Sequence, residues 1–413
     1  MTRLKHRSVF LSGSFVAQKL FFVWSSAQTL ARCNSASPAC GDREISVHTA
    51  HESGRMKGVL LHGGLGTRLR PLTHTGPKQL IKVAGKPVSQ WALEDLREAG
   101  VRDVAVVLGN LAPERVVEHY GDGSWLGLRL TYVYQGYPYG IAHAVYTVKD
   151  FVGDEPFVVY LGDNVILEGV ARPAKEFVEG DYDAYVLFAK VERPERFGVA
   201  VFDEHGKLKG FVEKPKVPPS NCALVGVYFF RPPHVFRAIE KLKPSWRGEL
   251  EITEALQLLL DWGLKVGYSF VEGWWKDTGT PEDLLEANRM LLDYKLQPRV
   301  SGTVEDSSIE GRIIVEEGAM VRKSVVRGPA YIGEGSVIEE SYVGPYTSVG
   351  EGCKLVRVEV ENSVLMDRVE LSNLNVRVFN SLLGSDTAVV GGEGRPKGLR
   401  LILGEKSRVD LRV

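Results

Sequence analysis

The sequence VLLHGGLGTRLRPL occupies residues 59–72, and PKQL follows at residues 77–80. Its first three residues are apolar and predict a short buried strand. The glycines behind them lack a Cβ atom, so a ligand can approach the backbone closely there. Successive backbone N–H groups in such a turn form an anion-binding concavity, to which Arg68 and Lys78 add fixed positive charge. The stretch therefore predicts a strand that ends in a phosphate-binding loop.

Two familiar phosphate-binding motifs are excluded by the spacing. No Gly-Lys-Ser/Thr closes the loop, and the glycines do not complete the dinucleotide fingerprint. A bare glycine cluster would be more typical of a plain strand-to-helix turn. The phosphate-binding interpretation therefore depends on the whole pattern, Gly-Gly-x-Gly-Thr-Arg-Leu-x-Pro-Leu-Thr followed by Pro-Lys-Gln-Leu.

Composition and charge bound the class of protein. The 413 residues are 44% hydrophobic and 25% charged, which is typical of a soluble globular protein of two or so domains. The 51 basic and 52 acidic residues nearly cancel, so we expect no nucleic-acid partner and no membrane partner. Four scattered cysteines indicate neither a disulfide scaffold nor a Cys-x-x-Cys metal site. We therefore expect a cytoplasmic protein.

Residues 1–55 differ from the remainder. Basic residues precede an apolar run over residues 9–24 that imitates a signal peptide, but Lys19 interrupts the run and no clear cleavage site follows. The run is also too broken to span a membrane. Because Met56 stands immediately before the first predicted strand, we interpret residues 1–55 as an atypical N-terminal extension or a misassigned start, and we expect it to be poorly ordered.

Residues 56–295 alternate between short apolar runs and amphipathic helical patterns. This alternation predicts an α/β domain, Rossmann-like, with a mixed and mostly parallel sheet. A hairpin near residues 203–206 predicts an antiparallel addition. Ligands of open sheets lie beyond the carboxyl ends of the strands, where the glycine loop belongs. Residues 296–302 are interpreted as a linker.

A six-residue repeat begins after the linker. Its apolar members, with one slip, are Ile314, Met320, Val326, Ile332, Ile338, Val343, Val349 and Leu355. Mostly small residues follow four positions after each member, as tight corners require. The repeat predicts a β-solenoid over residues 303–413, whereas a β-sandwich would have irregular strand spacing. Because the repeats supply no evident catalytic group, we interpret this domain as structural and as an assembly surface, and we expect a homo-oligomer.

Two carboxylates are candidate metal ligands. Asp163 follows a predicted strand at residues 157–161, and Asp277 precedes a helix that Pro281 opens. Mg²⁺ commonly takes one or two carboxylates together with substrate phosphates. Each residue alone would equally suit a turn or a helix cap.

Three further motifs would suit a base and an acceptor sugar. Gln135 offers both a donor and an acceptor to a pyrimidine, and Gly140 permits close approach of the base. Lys214 would hold an acceptor phosphate and Glu213 a sugar hydroxyl, although an exposed ion pair is the ordinary alternative. Gly226 would leave room for a pyranose.

Taken together, these motifs resemble those of the sugar-1-phosphate nucleotidyltransferases. Their order from Met56 to Val413, with the terminal repeat, is similar to the long-form glucose-1-phosphate thymidylyltransferases, which carry a C-terminal left-handed parallel β-helix. The resemblance implies Mg²⁺-assisted, in-line transfer of a thymidylyl group from dTTP to glucose 1-phosphate. The products would be pyrophosphate and dTDP-glucose, a precursor of dTDP-rhamnose and other deoxysugars.

The resemblance also implies roles for individual residues. Catalytic roles fall to Arg68, Lys78 and Asp163. Nucleotide binding falls to Leu61, Gly63, Gly64, Gly66, Thr67, Gln135 and Gly140. Sugar-phosphate binding falls to Glu213, Lys214, Gly226, Tyr228 and Arg247. Metal binding falls to Asp163 and Asp277.

One position departs from the family pattern, because His62 stands where a small residue is common. Its imidazole would either reshape the wall beside the base or point into the fold. Alternatives to the implied activity are a related enzyme using UTP, ATP or GTP, and a non-catalytic nucleotide-sugar-binding relative. An added acetyltransferase activity is disfavoured because the last histidine is His234, so the repeat domain lacks the histidine base that such enzymes use.

Overall fold

The computed structural model describes residues 56–392 and 403–410. The predicted extension over residues 1–55 lies outside the described residues. Within the described ranges, no helix is long and apolar enough to cross a lipid bilayer.

The α/β domain, residues 57–294, alternates strands and helices as predicted. Its strands are β1 Lys57–His62, β2 Lys82–Val83, β3 Lys86–Pro87, β4 Asp103–Leu108, β5 Arg129–Tyr134, β6 Phe157–Leu161, β7 Asn164–Ile166, β8 Ala184–Lys190, β9 Gly198–Phe202, β10 Leu208–Glu213, β11 Cys222–Phe230, β12 Val266–Phe270 and β13 Trp275–Asp277. Its helices are α1 Val88–Glu98, α2 Pro113–Tyr120, α3 Ile141–Tyr146, α4 Lys149–Val152, α5 Ala171–Glu179, α6 His234–Ile239, α7 Ile252–Asp261 and α8 Pro281–Tyr294.

Strand β1 lies inside a nine-stranded mixed sheet. The strand order β10-β9-β11-β6-β1-β4-β5 forms its main path, and β8 and β12 join through β11. Strands β4 and β6 flank β1 in parallel, whereas β11 is antiparallel to β6 and β8. The predicted hairpin is β9–β10, which is antiparallel. The prediction of an α/β domain with a mixed sheet is confirmed.

Alternate residues of β1 enter different cores. Val59 and Leu61 belong to the cluster that includes helices α3, α6 and α7, whereas Leu60 belongs to the cluster on the α1 side. This alternation is the period-two pattern of a strand covered on both faces. It also directs His62 toward α1. Beyond His62, at the carboxyl end of β1, the chain turns into the glycine loop.

A buried carboxyl group lies between α1 and β6. The Tyr160 hydroxyl donates a 2.9 Å hydrogen bond to Oδ2 of Asp95. Burial raises the pKa of Asp95 from its ordinary value of 3.8 to about 7, although the Tyr160 hydrogen bond and the charge of Lys295 oppose the shift. The negative charges of Glu98 and Glu94 raise this pKa further. Folded protein therefore holds a proton on Asp95 at pH values where the unfolded chain has lost it.

This carboxyl group should make the folded state less stable as the pH rises. Its favourable contribution is complete below pH 4 and is lost as the pH rises through about 7, because the folded state binds the extra proton. Asp95→Asn should remove this pH dependence of the free energy of unfolding. The stability of the variant relative to wild type should therefore rise by about 2–4 kcal/mol from pH 4 to pH 8. Denaturant unfolding at both pH values measures this gain. Asp154→Asn, at an exposed turn, serves as control, and a pH-independent difference for Asp95→Asn would contradict the assignment.

The C-terminal domain is a left-handed parallel β-helix, which confirms the predicted fold class. Three parallel sheets form its faces. The first contains β14 Arg299–Val300, β17 Ile313–Val315, β20 Ala330–Ile332, β23 Thr347–Val349, β26 Val364–Leu365 and β29 Leu382–Leu383. The second contains β15 Thr303–Glu305, β18 Met320–Arg322, β21 Val337–Glu339, β24 Lys354–Val356, β27 Glu370–Ser372 and β30 Ala388–Val390. The third contains β16 Ser308–Glu310, β19 Val325–Arg327, β22 Tyr342–Val343, β25 Glu359–Glu361 and β28 Val378–Phe379.

Two details of the repeat differ from the sequence prediction. Arg299–Val300, inside the predicted linker, already pairs in parallel with β17, so the first coil begins before residue 303. The early register is also shifted by one residue. Val315 and Val321 are fully buried, whereas Ile314 and Met320 are only half-buried. From Val326 to Leu355 the predicted hexad members are fully buried.

Small residues stack at one corner of the β-helix. Backbone N–H groups of Ser341 and Val358 donate to the hydroxyls of Ser324 and Ser341 in the preceding coils, at 3.1 Å each. Such bonds satisfy buried backbone donors where the chain leaves a strand. The small-residue column therefore has a hydrogen-bonding role as well as a steric one.

Candidate active site

The glycine loop connects β1 to a short 3-10 helix, Thr67–Leu69. Gly66 has a φ of 57°, and a Cβ atom there would lie 2.9 Å from the Thr73 side chain. The Thr73 hydroxyl donates a 2.7 Å hydrogen bond to the Gly66 carbonyl. Gly64 has a φ of 95° and open space where a side chain would be. These conformations favour glycine, and they leave the loop backbone accessible to a ligand.

Lys78 lies against the carboxylate that follows β6. Its ammonium group donates to Oδ2 of Asp163. Burial by itself would raise the pKa of Asp163, but the charge and the hydrogen bond of Lys78 hold this pKa below its ordinary value. The structure thus brings together two residues that are 85 positions apart in the chain.

Asp277 joins this pair through a two-stranded sheet. Strand β13 pairs with β7 so that Asp277 lies opposite Asn164, the residue after Asp163. Thr278 fixes the arrangement by donating its backbone N–H and its hydroxyl to the Asp163 carbonyl, at 2.9 and 2.8 Å. Burial and the charge of Asp163 raise the pKa of Asp277 to about 6. The charge of Asp163 thus disfavours ionisation of Asp277, and a cation beside the two carboxylates would favour it.

The donor set suits a hard divalent cation. Oδ1 of Asp277 is buried and has no hydrogen-bond partner. Across the described residues, no group of three His, Cys, Asp or Glu side chains is arranged to hold a metal ion. Two carboxylates with the remaining positions left to substrate phosphates are the usual protein contribution to a Mg²⁺ site. Asp163 and Asp277 therefore fit this metal.

Arg68 extends the positive charge of the site. It is exposed, and its guanidinium group lies where a side chain on Gly279 would be, 2.6 Å from that position. Arg68 is also close enough to Asp277 to oppose the rise in its pKa. Arg68 and Lys78 thus approach the carboxylate pair from two different segments.

A second group of predicted residues meets beside the glycine loop. Nε2 of Gln135 donates a 3.2 Å hydrogen bond to the Gly140 carbonyl. Its Oε1 lies 3.2 Å from the position that a Cβ of Gly63 would occupy. Gly140 has a φ of 105°, and a Cβ there would lie 2.5 Å from the Leu250 carbonyl. Gly140 therefore allows the loop before α3 to pack on the loop before α7, which differs from the predicted role of admitting the base.

His62 points into the fold and away from this group. It is buried, and its Nε2 lies 3.0 Å from the Ser89 hydroxyl. Ser89 has a single proton, which it donates to the Gln79 carbonyl, so Nε2 of His62 must carry a proton and donate to Ser89. Burial lowers the pKa of His62 to about 3, so the imidazole stays neutral. This location favours the second of the two expectations for His62.

Gln79 belongs to the quoted motif, but no role is predicted for it there. Its Nε2 donates a 2.6 Å hydrogen bond to the Gly63 carbonyl, and its Oε1 is buried without a partner. A buried unpaired acceptor costs free energy unless a ligand satisfies it. Gln79 is therefore an additional candidate ligand contact, and its place directly after Lys78 was the available signal.

The predicted sugar-binding residues form a charged cluster. The Arg247 guanidinium contacts carboxylate oxygens of Glu249 at 2.8 Å, Glu213 at 3.3 Å and Glu251 at 3.4 Å. Lys214 lies 3.7 Å from Glu213. Its φ of 40° is unusual for a residue with a side chain, and such strain is often found at functional sites. The cluster presents both acceptors for hydroxyl groups and cations for a phosphate.

Gly226 and Tyr228 connect this cluster to the carboxylate pair. A Cβ on Gly226 would lie 2.8 Å from the Asn164 side chain, so the amide of Asn164 occupies the space predicted for a pyranose. Asn164 donates to Oδ1 of Asp163 at 2.9 Å and accepts from the Gly226 N–H at 3.2 Å. Burial raises the pKa of Tyr228, and the charges of Glu213 and Asp163 raise it further. Tyr228 is therefore buried near the carboxylates of Glu213 and Asp163.

The remaining predicted residues support the loop. Leu61 is buried in β1, and its carbonyl accepts a 2.9 Å hydrogen bond from the N–H of Gly162, the residue before Asp163. Thr67 is exposed at the start of the 3-10 helix. The sequence motifs thus converge on one edge of the sheet.

Comparison with known proteins identifies the family. Residues 57–294, more than half of the chain, match the family model described as nucleotidyl transferase. The chain belongs to the nucleotidyl transferase family. Among its relatives is the low-salt glycan biosynthesis nucleotidyltransferase Agl11 of Haloferax volcanii, 48% identical over 86% of this chain and 100% of that protein. A glucose-1-phosphate thymidylyltransferase of Streptomyces griseus is 44% identical over 86% of this chain and 99% of its own length.

Other nucleotidyl transferase relatives are shorter. The UTP–glucose-1-phosphate uridylyltransferase AglF of H. volcanii is 38% identical over 59% of this chain and 99% of its own length. A Bacillus anthracis crystal structure, described as a glucose-1-phosphate thymidylyltransferase in complex with sucrose, is 38% identical with a TM-score of 0.54. It covers 57% of this chain and 94% of that chain. These relatives support transfer of a nucleotidyl group to a sugar 1-phosphate.

Proposed function

We propose that this protein transfers the thymidylyl group of dTTP to glucose 1-phosphate, with release of pyrophosphate and dTDP-glucose. The observation that carries the proposal is the meeting of three clusters at one edge of the sheet. Lys78, Asp163 and Asp277 form the charged centre, Gln135 lies beside the glycine loop, and Arg247 marks the sugar cluster.

The free acceptor of Gln135 supports a base that carries an imide N–H. Its Nε2 is engaged by Gly140, which leaves Oε1 facing Gly63. The assignment of the two amide atoms follows from this hydrogen bond. An acceptor at this point matches N3–H of thymine or uracil, whereas the corresponding ring nitrogen of adenine, N1, is itself an acceptor and only the exocyclic amino group could donate. The choice of thymine over uracil rests on the Streptomyces relative, which spans both domains.

The reaction needs positioning and charge stabilisation more than a protein nucleophile. A phosphate oxygen of glucose 1-phosphate would attack the α-phosphorus of dTTP, and the bond from that phosphorus to the leaving pyrophosphate would break. In this proposal Arg68 and the glycine-loop N–H groups hold the triphosphate, and Lys78 stabilises the charge that develops at the α-phosphate. Lys214 and Arg247 hold the acceptor phosphate, while Glu213 orients the sugar.

Asp163 and Asp277 would hold Mg²⁺. The metal would neutralise phosphate charge when bound. Asn164 donates to the Asp163 carboxylate, and Thr278, the residue after Asp277, donates to the Asp163 carbonyl, so these bonds tie the Asp163 and Asp277 segments together. The residues themselves thus provide a preorganised anionic pair beside two cationic side chains.

The leading alternative is a related enzyme that uses UTP. The AglF relative names that nucleotide, and uracil presents the same imide N–H to Gln135 as thymine does. A non-catalytic nucleotide-sugar-binding role is less consistent with the site, because Arg68, Lys78, Asp163 and Asp277 are all brought together.

Parallel assays with four nucleotides test the choice. Purified protein, Mg²⁺ and glucose 1-phosphate are combined with dTTP, UTP, ATP or GTP, and pyrophosphate release is measured. We expect dTTP to give the highest kcat/KM and UTP the next highest. A preference for ATP would contradict the role of Gln135, and a preference for UTP would replace dTTP in the proposal while keeping the chemistry.

A further inference from the structure

The β-helix packs directly against the segments that carry Arg68 and Lys78. One apolar cluster contains residues from both domains and is called the junction core here. Its members in the α/β domain include Leu69, Ile81 and Val83, and its β-helix members include Val364, Met366 and Leu382. Leu69 immediately follows Arg68, and Ile81 lies three residues after Lys78. The β-helix therefore shares one core with residues that lie next to Arg68 and Lys78 in the chain.

Buried polar contacts fix the same junction. Asn288, on α8, is fully buried and accepts hydrogen bonds from the Ala84 N–H at 2.8 Å and the Ser348 hydroxyl at 2.6 Å. Its Nδ2 donates to the Tyr346 carbonyl at 2.8 Å. One side chain thus connects the β2–β3 turn to two points of the β-helix. A fully satisfied buried network of this kind favours a single relative arrangement.

Charged groups add to the polar contacts. The Lys82 ammonium lies 2.6 Å from a carboxylate oxygen of Glu351 and 2.9 Å from one of Asp367. Both acidic residues belong to the β-helix, and the Lys82 side chain is only 17% exposed. Lys82 follows the Lys78–Leu80 3-10 helix at an interval of one residue. The ion pairs therefore hold the backbone just beyond Lys78.

An aromatic ring of the β-helix holds the β2–β3 turn. Ala84 and Gly85 both have positive φ values, 49° and 85°. A Cβ on Gly85 would lie 2.5 Å from the Tyr331 ring, so the ring packs flat against the glycine backbone. A left-handed alanine is strained and persists where surrounding contacts determine it. Tyr331 and Asn288 supply those contacts.

We propose that the β-helix is a positioning element for the phosphate-binding segments, and that Tyr331 is one of its positioning residues. Through the junction core the β-helix would restrain residues 63–83 before nucleotide binds. Arg68 and Lys78 would then already be ordered, and less binding free energy would be lost in ordering them. This role rests on the proposed function and adds to the assembly role expected from the sequence. A domain that served assembly alone would not restrain these residues through Tyr331.

The test compares Tyr331→Ala with Tyr342→Ala in the full chain. Tyr342 is a matched control because it is also half-buried but lies on the third face of the β-helix, where its ring contacts Arg377. Hydrogen–deuterium exchange of residues 63–83 is measured without substrate. We expect Tyr331→Ala to accelerate exchange there by about tenfold, which corresponds to about 1.4 kcal/mol of lost local stability, while Tyr342→Ala leaves it unchanged.

A functional readout accompanies the exchange measurement. In the nucleotide assay, Tyr331→Ala should raise KM for the nucleotide by about tenfold or more, since displaced phosphate contacts weaken binding, and should leave KM for glucose 1-phosphate nearly unchanged. Unchanged exchange in Tyr331→Ala, or equal acceleration by both variants, would overturn the proposal. If Tyr331→Ala does not fold, Leu382→Ala replaces it against the same control. Because exchange needs no substrate, a failed transferase assay would count against the proposed function alone.

Discussion

Replacing Lys78 with alanine should lower kcat/KM by about a hundredfold to a thousandfold, which is the usual cost of removing one group that stabilises transition-state charge. Lys78 is the ammonium in direct contact with Asp163, and its carbon chain packs against Gly66 of the glycine loop. No other ammonium group within the described residues is paired with Asp163 or Asp277. The change is measured by steady-state pyrophosphate release in the presence of Mg²⁺. Each substrate is varied in turn while the other is kept saturating.

Lys175→Ala is the matched control for this variant. Lys175 is exposed on α5 and pairs only loosely with Glu179, at 3.7 Å. Because removing Lys78 takes away the cation in direct contact with Asp163, the thermal unfolding midpoint of Lys78→Ala should also be recorded. A folded Lys78→Ala protein with near-normal turnover would contradict the assignment of Lys78.

Asp163→Asn should lower kcat by at least about a hundredfold with little change in the fold, because it removes a charge while keeping the size of the side chain. The backbone carbonyl that accepts from Thr278 is unaffected by this substitution. The substituted amide oxygen can still accept from Asn164. The variant therefore keeps the contacts to Thr278 and Asn164, and it removes the carboxylate charge together with the hydrogen bond from Lys78.

A double substitution tests whether the two carboxylates act together. If Asp163 and Asp277 hold the same metal, Asp163→Asn combined with Asp277→Asn should be little slower than the worse single variant, because residues of one functional unit are not additive. Mn²⁺ titration by electron paramagnetic resonance, with dTTP present, gives an independent readout of metal binding. Full additivity of the two substitutions, with unchanged Mn²⁺ affinity, would exclude a shared metal.

The sequence predicted the site best where function resides in backbone shape and charge. Gly66 and Arg68 stand in a pattern whose chemistry follows from missing Cβ atoms and fixed cations. Asp163 was identified because a carboxylate follows a buried strand, and parallel strands present such residues at one edge of a sheet. Periodicity likewise predicted the β-helix, since each coil repeats the same inward positions.

Contacts between distant segments could not be predicted in this way. Lys82 meets Asp367 across 285 residues, and no local pattern encodes that approach. Gly140 was predicted to admit the base and Gly226 to leave room for a pyranose, but at both positions a neighbour occupies the space that a side chain would need. The neighbours that exclude it, Asn164 and the Leu250 backbone, depend on tertiary packing. The one-residue register shift at the start of the repeat arose because Ile313, Ile314 and Val315 are all apolar. Their pattern therefore does not determine which of them faces inward.

Product analysis by phosphorus NMR tests the central claim most directly. Purified protein is incubated with Mg²⁺, dTTP and glucose 1-phosphate, and parallel samples omit the sugar phosphate. The account predicts equal amounts of pyrophosphate and dTDP-glucose in the complete mixture, and no pyrophosphate without the acceptor, because the attacking oxygen belongs to glucose 1-phosphate. Pyrophosphate release without acceptor, or no nucleotide sugar when dTTP and UTP are each supplied, would contradict the assignment of this site to nucleotidyl transfer.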